Sequence, residues 1–256
     1  MRPSESSDRA RGSSAEAVAE TFDRWVREGM AAGMERRHRR LAERMLDRVS
    51  ISSDGCLLDV GCGNGWLARL IAGRVPEAAV VGIDVSMEMV HQARLDCADL
   101  VNVMFAPGAA EEIPWAEEYF THVISIESAY YWRDPAKAAR EIFRVAKPGG
   151  TFHILINYYE ENGFSAGWDA ETGLALHRLN AADWVDLFAA AGFDDVSSDQ
   201  IPDDSPISPG KTPEAMAHRQ GLQDVGALYV TGRKSKAKRR ADLQAQVDPG
   251  LFRILR

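Results

Sequence analysis

The run Leu57-Leu58-Asp59-Val60 is apolar, carries one acid, and opens directly onto glycine at three alternate positions, Gly61, Gly63 and Gly65. A glycine-rich turn at the end of a buried strand restricts the chain to few folds. Backbone without Cβ lets a ligand approach closely, and such turns sit where parallel α/β sheets bind nucleotides. The spacing then separates two kinds of site. A dinucleotide turn spaces its glycines G-x-G-x-x-G and lays a pyrophosphate on a helix N-terminus. Here the pattern is G-x-G-x-G with Trp66 next, which favours a nucleoside ligand without phosphate. Asp59, just before the turn, is placed to pair with an ammonium group. Cys62 occupies a position inside the turn where a small side chain fits. Three glycines alone also describe a plain strand-to-helix turn, and the segments downstream of Gly65 separate the two cases.

A second β-branched run, Ala79-Val80-Val81-Gly82-Ile83-Asp84-Val85, reads as another buried parallel strand. Asp84 lies 23 positions after Gly61, near the ~20-residue interval at which an acid grips ribose hydroxyls in nucleotide-binding βαβ units. Met87 and Met89 come at a helix start, where a methionine either flanks an adenine or fills core. Next are Gly108-Ala109-Ala110-Glu111-Glu112-Ile113-Pro114-Trp115, the strand Thr121 to Ile126, the loop Glu127-Ser128-Ala129-Tyr130-Tyr131-Trp132, and Arg144-Val145-Ala146-Lys147-Pro148-Gly149-Gly150 before a further strand.

These four motifs in register resemble the class I S-adenosylmethionine-dependent methyltransferases, in their type 11, UbiE-like small-molecule branch. The resemblance covers roughly residues 55 to 156 and extends more loosely to Arg233. It implies an α/β, Rossmann-like seven-stranded sheet of order 3-2-1-4-5-7-6 with the last strand antiparallel. Helices would lie on both faces, with an N-terminal helical cap. It implies S-adenosyl-L-methionine as cofactor, held by Asp59, Gly61, Cys62, Gly63, Gly65, Asp84, Val85, Met89, Ala110, Glu111 and Glu127. The third motif departs from the family, which places Asp where this chain has Ala109 to accept from the adenine amino group. The Ala110 N–H and Glu111 are the available replacements. A lost hydrogen bond of ~1 kcal/mol would weaken binding several-fold.

The implied chemistry is in-line methyl transfer from a sulfonium to a small-molecule acceptor. Alignment alone supplies ~7–11 kcal/mol of such a barrier, so no protein nucleophile is required. A base is needed only where the acceptor holds its proton at neutral pH. Candidates are Glu127, Tyr131 and His177, with His153 a further one; His38, His91 and His122 read as structural. Tyr130, Tyr131, Trp132, Tyr158 and Tyr159 are expected to form the substrate pocket. An aromatic mouth with few cations suits an uncharged, ring-bearing or lipid-like acceptor. Two other readings share parts of the pattern. A non-catalytic S-adenosylmethionine-binding protein would keep the glycines, and an NAD(P)-dependent oxidoreductase would share the strand-turn-acid logic.

Composition bounds the rest. A chain of 256 residues with 45% hydrophobic content forms one α/β domain with a full core. Its formal charge of −8 argues against a nucleic-acid surface. Arg233 to Arg240 packs six cations into eight residues and reads as a solvated basic tail. Three cysteines without metal-ligand spacing suggest a reducing, cytoplasmic setting and no metal. No apolar stretch reaches the ~20 residues that span a bilayer.

The expected organisation is a disordered N-terminus (1–14) and helical cap within 1–50, a catalytic domain over 51–232 and a tail over 233–256. Cap helices are expected over Ala15–Met30, with Phe22 or Trp25 facing the site, and over Met34–Val49. Further helices are expected at Leu67–Ala72, Glu88–Leu95, after Pro135 and at Ala182–Ala191. Strands are expected at Thr151–Ile156, Asp195–Ile201 and Ala227–Thr231, and Gly163–Asn180 reads as a short lid.

Overall fold

A computed structural model describes residues 12–30, 33–206 and 212–236. Seven strands form one sheet of order β3-β2-β1-β4-β5-β7-β6. They are β1 (Cys56–Val60), β2 (Ala79–Asp84), β3 (Val103–Pro107), β4 (Phe120–Ile126), β5 (Ala146–Ile156), β6 (Asp194–Ile201) and β7 (Ala227–Arg233). The first five run parallel, and β7 pairs antiparallel with both β5 and β6. The expected order and the antiparallel last strand are therefore observed.

Alternation along β1 explains why its sequence is apolar apart from Asp59. Leu57 points into one buried layer, with α2 (Met34–Leu46), α3 (Trp66–Arg74) and α4 (Met87–Asp96). Leu58 and Val60 point into the other, with α5 (Pro135–Val145) and α7 (Ala181–Ala190). A strand buried on both faces favours apolar side chains on both, with Asp59 the polar exception at the ligand end. Gly65 and Gly82 serve that packing. A Cβ on either would come within 2.7 Å of the Phe105 ring or closer, so the α3 start and β2 close onto β3.

Several boundaries differ from the sequence reading. The first cap helix, α1 (Ala15–Arg27), stops three residues early, where Gly29 adopts φ 73°. Strand β5 begins at Ala146, because the Lys-Pro-Gly-Gly segment already pairs with β4 through Ala146 and Phe120. A helix not anticipated, α8 (Pro213–Val225), precedes β7. Within the expected lid, a 3-10 turn at Gly163–Ser165 and a single helical turn, α6 (Trp168–Thr172), are bounded by Gly167 and Gly173 in left-handed conformation.

The start of the expected tail is part of the fold. Strand β7 runs to Arg233, and Lys234 is buried, its ammonium donating to the Phe143 and Ala146 carbonyls at the end of α5. Residues 237–256, and 1–11 of the expected disordered segment, lie outside the described residues.

Candidate active site

At the C-terminal edge of β1, β2 and β4 lies a cavity of about 610 Å³. Its floor is the glycine turn. Gly61 and Gly63 adopt φ 78° and 51°, conformations that side chains disfavour. A Cβ on Gly61 would also strike the Ser128 side chain. Ser128 is fixed there because its hydroxyl donates to the Val60 carbonyl (2.8 Å) and bonds the Ser125 hydroxyl (2.6 Å). The turn is therefore a backbone cradle braced from the adjacent strand.

Two carboxylates flank it. Asp84 accepts from the Gly63 N–H (2.9 Å) and the Ser86 N–H (2.9 Å) and lines the cavity. Burial pushes its pKa up to about 6, with the nearby Asp23 adding to the shift and the two N–H donors opposing it. Asp59 is buried and its Oδ2 has no hydrogen-bond partner. Burial, followed by the charge of Asp84, pushes it up to about 8. A buried carboxylate oxygen without a donor is costly unless a ligand supplies one.

The third carboxylate, Glu127, ends β4 in a left-handed conformation (φ 55°) that a glutamate rarely adopts. Its Oε1 accepts from the Asn157 N–H (2.6 Å) and amide (3.1 Å), and its Oε2 from the Tyr130 hydroxyl (3.0 Å). Burial raises its pKa to about 7; the bonds from Tyr130 and Asn157, and the Arg37 charge, oppose the rise. Rings surround this end of the cavity. Phe22 meets Tyr131 edge-on at 5.1 Å, and Tyr130 lies 4.6 Å from Tyr131 and 6.4 Å from Trp168.

Of the expected cofactor residues, Gly61, Gly63, Asp84, Val85, Ala110, Glu111 and Glu127 line the cavity. Glu111 also accepts from the Asp134 N–H. Asp59, Cys62, Gly65 and Met89 do not line it; Asp59 is buried beside the turn. The Cys62 thiol and the Met89 side chain are buried below the turn, and Gly65 is used by packing against Phe105. Tyr130, Tyr131 and Trp132 line the cavity as expected of a pocket. Tyr158 stands one layer behind, stacked on Trp168 at 5.9 Å. Tyr159 turns away altogether, donating to the Gly226 carbonyl (3.0 Å).

His177 does not line the cavity either. Its Nε2 faces the Arg133 carbonyl, and burial lowers its pKa. His153 is enclosed between Thr151 and Tyr229 on the sheet. Conversely, His38, read as structural, reaches the cavity wall, with an Nδ1 that is buried and unpartnered. Both Phe22 and Trp25 face the cavity, as does Trp168 of α6.

Arg37 is a cavity residue that the sequence reading missed. It projects into the cavity from the first turn of α2, one turn after Met34, whose methyl lies 3.0 Å from where a Gly63 Cβ would sit. Among the described residues it makes no hydrogen bond or ion pair.

A cradle that bars side chains, an acid at the end of β2 and an unpaired acid beside the turn define a nucleoside site built for a ligand that also carries a cation. The relatives agree. A family model described as a methyltransferase domain matches residues 58–154. The methyltransferase phqN of Penicillium fellutanum is 30% identical over 221 residues, 79% of this chain and 65% of that protein. The ubiquinone/menaquinone biosynthesis C-methyltransferase UbiE of Geotalea daltonii is 31% identical over 144 residues, 54% of this chain and 59% of that one. The chain thus spans somewhat under two thirds of these two curated relatives.

A chain in the solved complex with the Haloferax volcanii Trm112 methyltransferase activator superposes with a TM-score of 0.77. It is 30% identical, over 84% of this chain and 97% of that one. The chain belongs to the class I S-adenosylmethionine-dependent methyltransferases.

The site fits that family's cofactor on its own geometry. Asp59, with its orphan oxygen, would pair with the cofactor's ammonium, Asp84 with its ribose hydroxyls and the Arg37 guanidinium with its carboxylate. Among the described residues no cluster of three His, Cys, Asp or Glu is arranged to hold a metal. No helix of the described chain is long and apolar enough to cross a membrane.

Proposed function

We propose that this chain methylates a small, uncharged, ring-bearing molecule, and that the 610 Å³ cavity holds cofactor and acceptor together. The supporting observation is the pairing of the glycine cradle with a ring-lined chamber that ends on Glu127. Bound in the cradle, S-adenosylmethionine supplies an electrophilic methyl group on a sulfonium. The chain's part is to aim an acceptor at it. Tyr131, Phe22 and Trp168 offer ring faces and edges that hold an aromatic acceptor while excluding water, and the same rings attract a cation by ~0.5–2 kcal/mol. Glu127, with a pKa near neutrality, is the group able to take a proton from the acceptor.

Cofactor and acceptor binding are tested separately. Calorimetric titration with S-adenosylhomocysteine, beside NADH as control, should give micromolar binding of the first and none of the second. Labelled methyl transfer to a panel of phenols and hydroquinones then tests the acceptor class. A non-catalytic binding protein would bind S-adenosylhomocysteine and transfer nothing to the panel. The strained Glu127 backbone inside a ring-lined chamber favours the enzyme, because such strain concentrates at working sites.

A further inference from the structure

The walls of the chamber are not fastened equally. Helix α1 contributes Ala15, Val18, Phe22 and Trp25 and is tied down at both ends. Before it, the Gly12 N–H donates to the Arg133 carbonyl (3.1 Å) and the Ser13 N–H to the Ala175 carbonyl (3.1 Å), while the Ser13 hydroxyl accepts from the Ala175 N–H (2.8 Å). Near its other end, Asp23 accepts from the Ser86 hydroxyl and from the Glu88 N–H at the start of α4. Ser86 in turn donates its N–H to Asp84 (2.9 Å), so α1 is locked beside the acid that ends β2.

Helix α6 brings Trp168, Glu171 and Thr172 to the same chamber with far less to hold it. None of its five residues is buried. Among the described residues, every hydrogen bond of segment 167–173 stays within 167–174. Its packed attachment is one ring: Trp168 stacks on Tyr158 at 5.9 Å and meets Tyr130 edge-on at 6.4 Å. The chain on either side is firmly held. Upstream, Ser165 is fully buried with its hydroxyl on the Asn162 carbonyl (2.8 Å), and Phe164 packs where α8 has Gly221. Downstream, Leu174 is buried and the His177 N–H donates to the Tyr130 carbonyl (2.9 Å). The junctions are Gly167 and Gly173, at φ 96° and 70°. A Cβ on either would meet nothing within 4 Å, so crowding does not call for glycine at these two points. What glycine supplies there is freedom of rotation, and an unburied turn between two such joints opens at low cost.

Resting on the methyl-transfer reading above, we propose that residues 167–173 form a gate for the acceptor, jointed at Gly167 and Gly173 and latched by the Trp168 ring, which opens while the cofactor stays in place beside α1. The two fastenings act at different ends of the cavity. Trp168 sits on Tyr130, whose hydroxyl bonds Glu127 at the end of β4. The α1 lock acts on Ser86 and Asp84 at the end of β2. Strand β1 lies between β2 and β4, so two strand spacings, ~10 Å, separate them. Swinging α6 outward parts Trp168 from Tyr130 and Tyr158 and uncovers the ring wall around Glu127. It breaks no hydrogen bond to the glycine turn, to Asp84 or to α1. An acceptor can thus enter after the cofactor, and the methylated product leave before the demethylated cofactor does. Closing returns Trp168 to the bound ring and excludes water from the methyl group.

The test follows two indole N–H signals of the full chain by relaxation-dispersion NMR, Trp168 on the gate and Trp25 on α1, each identified by its loss in Trp168→Phe or Trp25→Phe. Lids of this kind move on the μs–ms scale that the method reads. With S-adenosylhomocysteine bound, Trp168 should show exchange and Trp25 none. Saturating 1-naphthol, a phenol suited to a ring-lined chamber, should quench the exchange at Trp168. Gly167→Ala and Gly173→Ala each place an alanine in left-handed backbone when the gate is closed, and each should raise the open population about 5-fold. Calorimetry should find the S-adenosylhomocysteine affinity of both variants within about 2-fold of the parent, which shows that fold and cofactor site are kept.

A Trp168 signal without exchange in the complex, Trp168 and Trp25 exchanging together, or hinge variants with an unchanged open population would each overturn the gate. Displacement of S-adenosylhomocysteine by 1-naphthol would overturn separate entry of the acceptor. Failure of the complex to bind 1-naphthol would count against a ring-bearing acceptor, while Trp168 and the hinge variants still decide the gate. Failure to bind S-adenosylhomocysteine would instead remove the methyl-transfer reading beneath it.

Discussion

Substituting Gly61 by Ala tests the cradle most directly, because two separate costs can be read from the structure and then pulled apart. The first is conformational. Gly61 has φ 78°, and an alanine held there costs ~1 kcal/mol. The second is steric, since the new methyl strikes the Ser128 side chain. Ser128 cannot swing aside without giving up its bonds to the Val60 carbonyl and the Ser125 hydroxyl, each worth ~1 kcal/mol and more if a buried partner is left unpaired. The sum is a destabilisation of ~2–4 kcal/mol. Urea denaturation gives that value, and calorimetry with S-adenosylhomocysteine reports the accompanying loss of binding. Adding Ser128→Gly separates the costs: Gly61→Ala/Ser128→Gly should be more stable than the sum of the two single changes by at least ~1 kcal/mol, a coupling energy expected of residues in contact. Additive effects, or a Gly61→Ala protein as stable as the parent, would refute the view that Ser128 braces the turn.

Other perturbations probe the charges around the cavity and the end of the chain. Asp59 has its folded pKa raised to about 8 from 3.8, so its contribution to stability is full below pH 4 and lost as pH rises through 8; Asp59→Asn should therefore raise the melting temperature of the ligand-free protein at pH 8.5 but not at pH 4.5, while weakening S-adenosylhomocysteine binding. Titrations at pH 7 in buffers of different ionisation enthalpy should show proton release on binding in the parent, much reduced in Asp59→Asn. Arg37→Gln should weaken S-adenosylhomocysteine roughly 10-fold or more, by loss of a charge-assisted hydrogen bond, and leave the affinity for 5′-methylthioadenosine, which has no carboxylate, within about 2-fold. Lys234→Met should lower the melting temperature by ~2–8 °C, from ~1–2 kcal/mol lost where the ammonium meets two carbonyls at the end of α5.

The parts of this fold legible in the sequence are those where one physical demand dominates. Strand β1 is apolar but for Asp59 because both of its faces are buried, and Gly61 in the turn after it is glycine because Ser128 and a left-handed dihedral leave no room for a side chain. Strand order comes from family resemblance, since periodicity within a strand says nothing about its neighbours. Helix α8 escapes a sequence reading because its first two turns are exposed on all sides and so carry no apolar stripe. Arg37 sits in Arg36-Arg37-His38-Arg39-Arg40, a run that reads as a solvated helix face. Only the packing of α2 over Gly63 turns one of these side chains inward. Tyr158 and Tyr159 look equivalent in the sequence, although adjacent extended residues point opposite ways; Tyr158 backs Trp168 while Tyr159 reaches Gly226. Lys234 blends into its charged neighbours in the sequence, but its position after β7 buries it against Phe143.

Three buried carboxylates in or beside the cavity share a property that composition could not reveal. Asp59, Asp84 and Glu127 are each shifted upward chiefly by burial, to about 8, 6 and 7. Asp84 and Glu127 receive hydrogen bonds from within the chain, but Asp59 keeps a buried oxygen with none. The one cation with a resolved effect on any of them is Arg37, and it acts on Glu127. Ligand-free, the cavity thus holds more potential negative charge than it neutralises, and it meets the shortfall by keeping protons. A cationic occupant reverses that balance. On the proposed cofactor placement, an ammonium beside Asp59 and a sulfonium near Glu127 would favour the ionised forms, so that binding and deprotonation would be coupled. Such a coupling would have a direction useful to the proposed methyl transfer: the sulfonium would leave Glu127 ionised, and therefore able to accept a proton, while the methyl donor is bound.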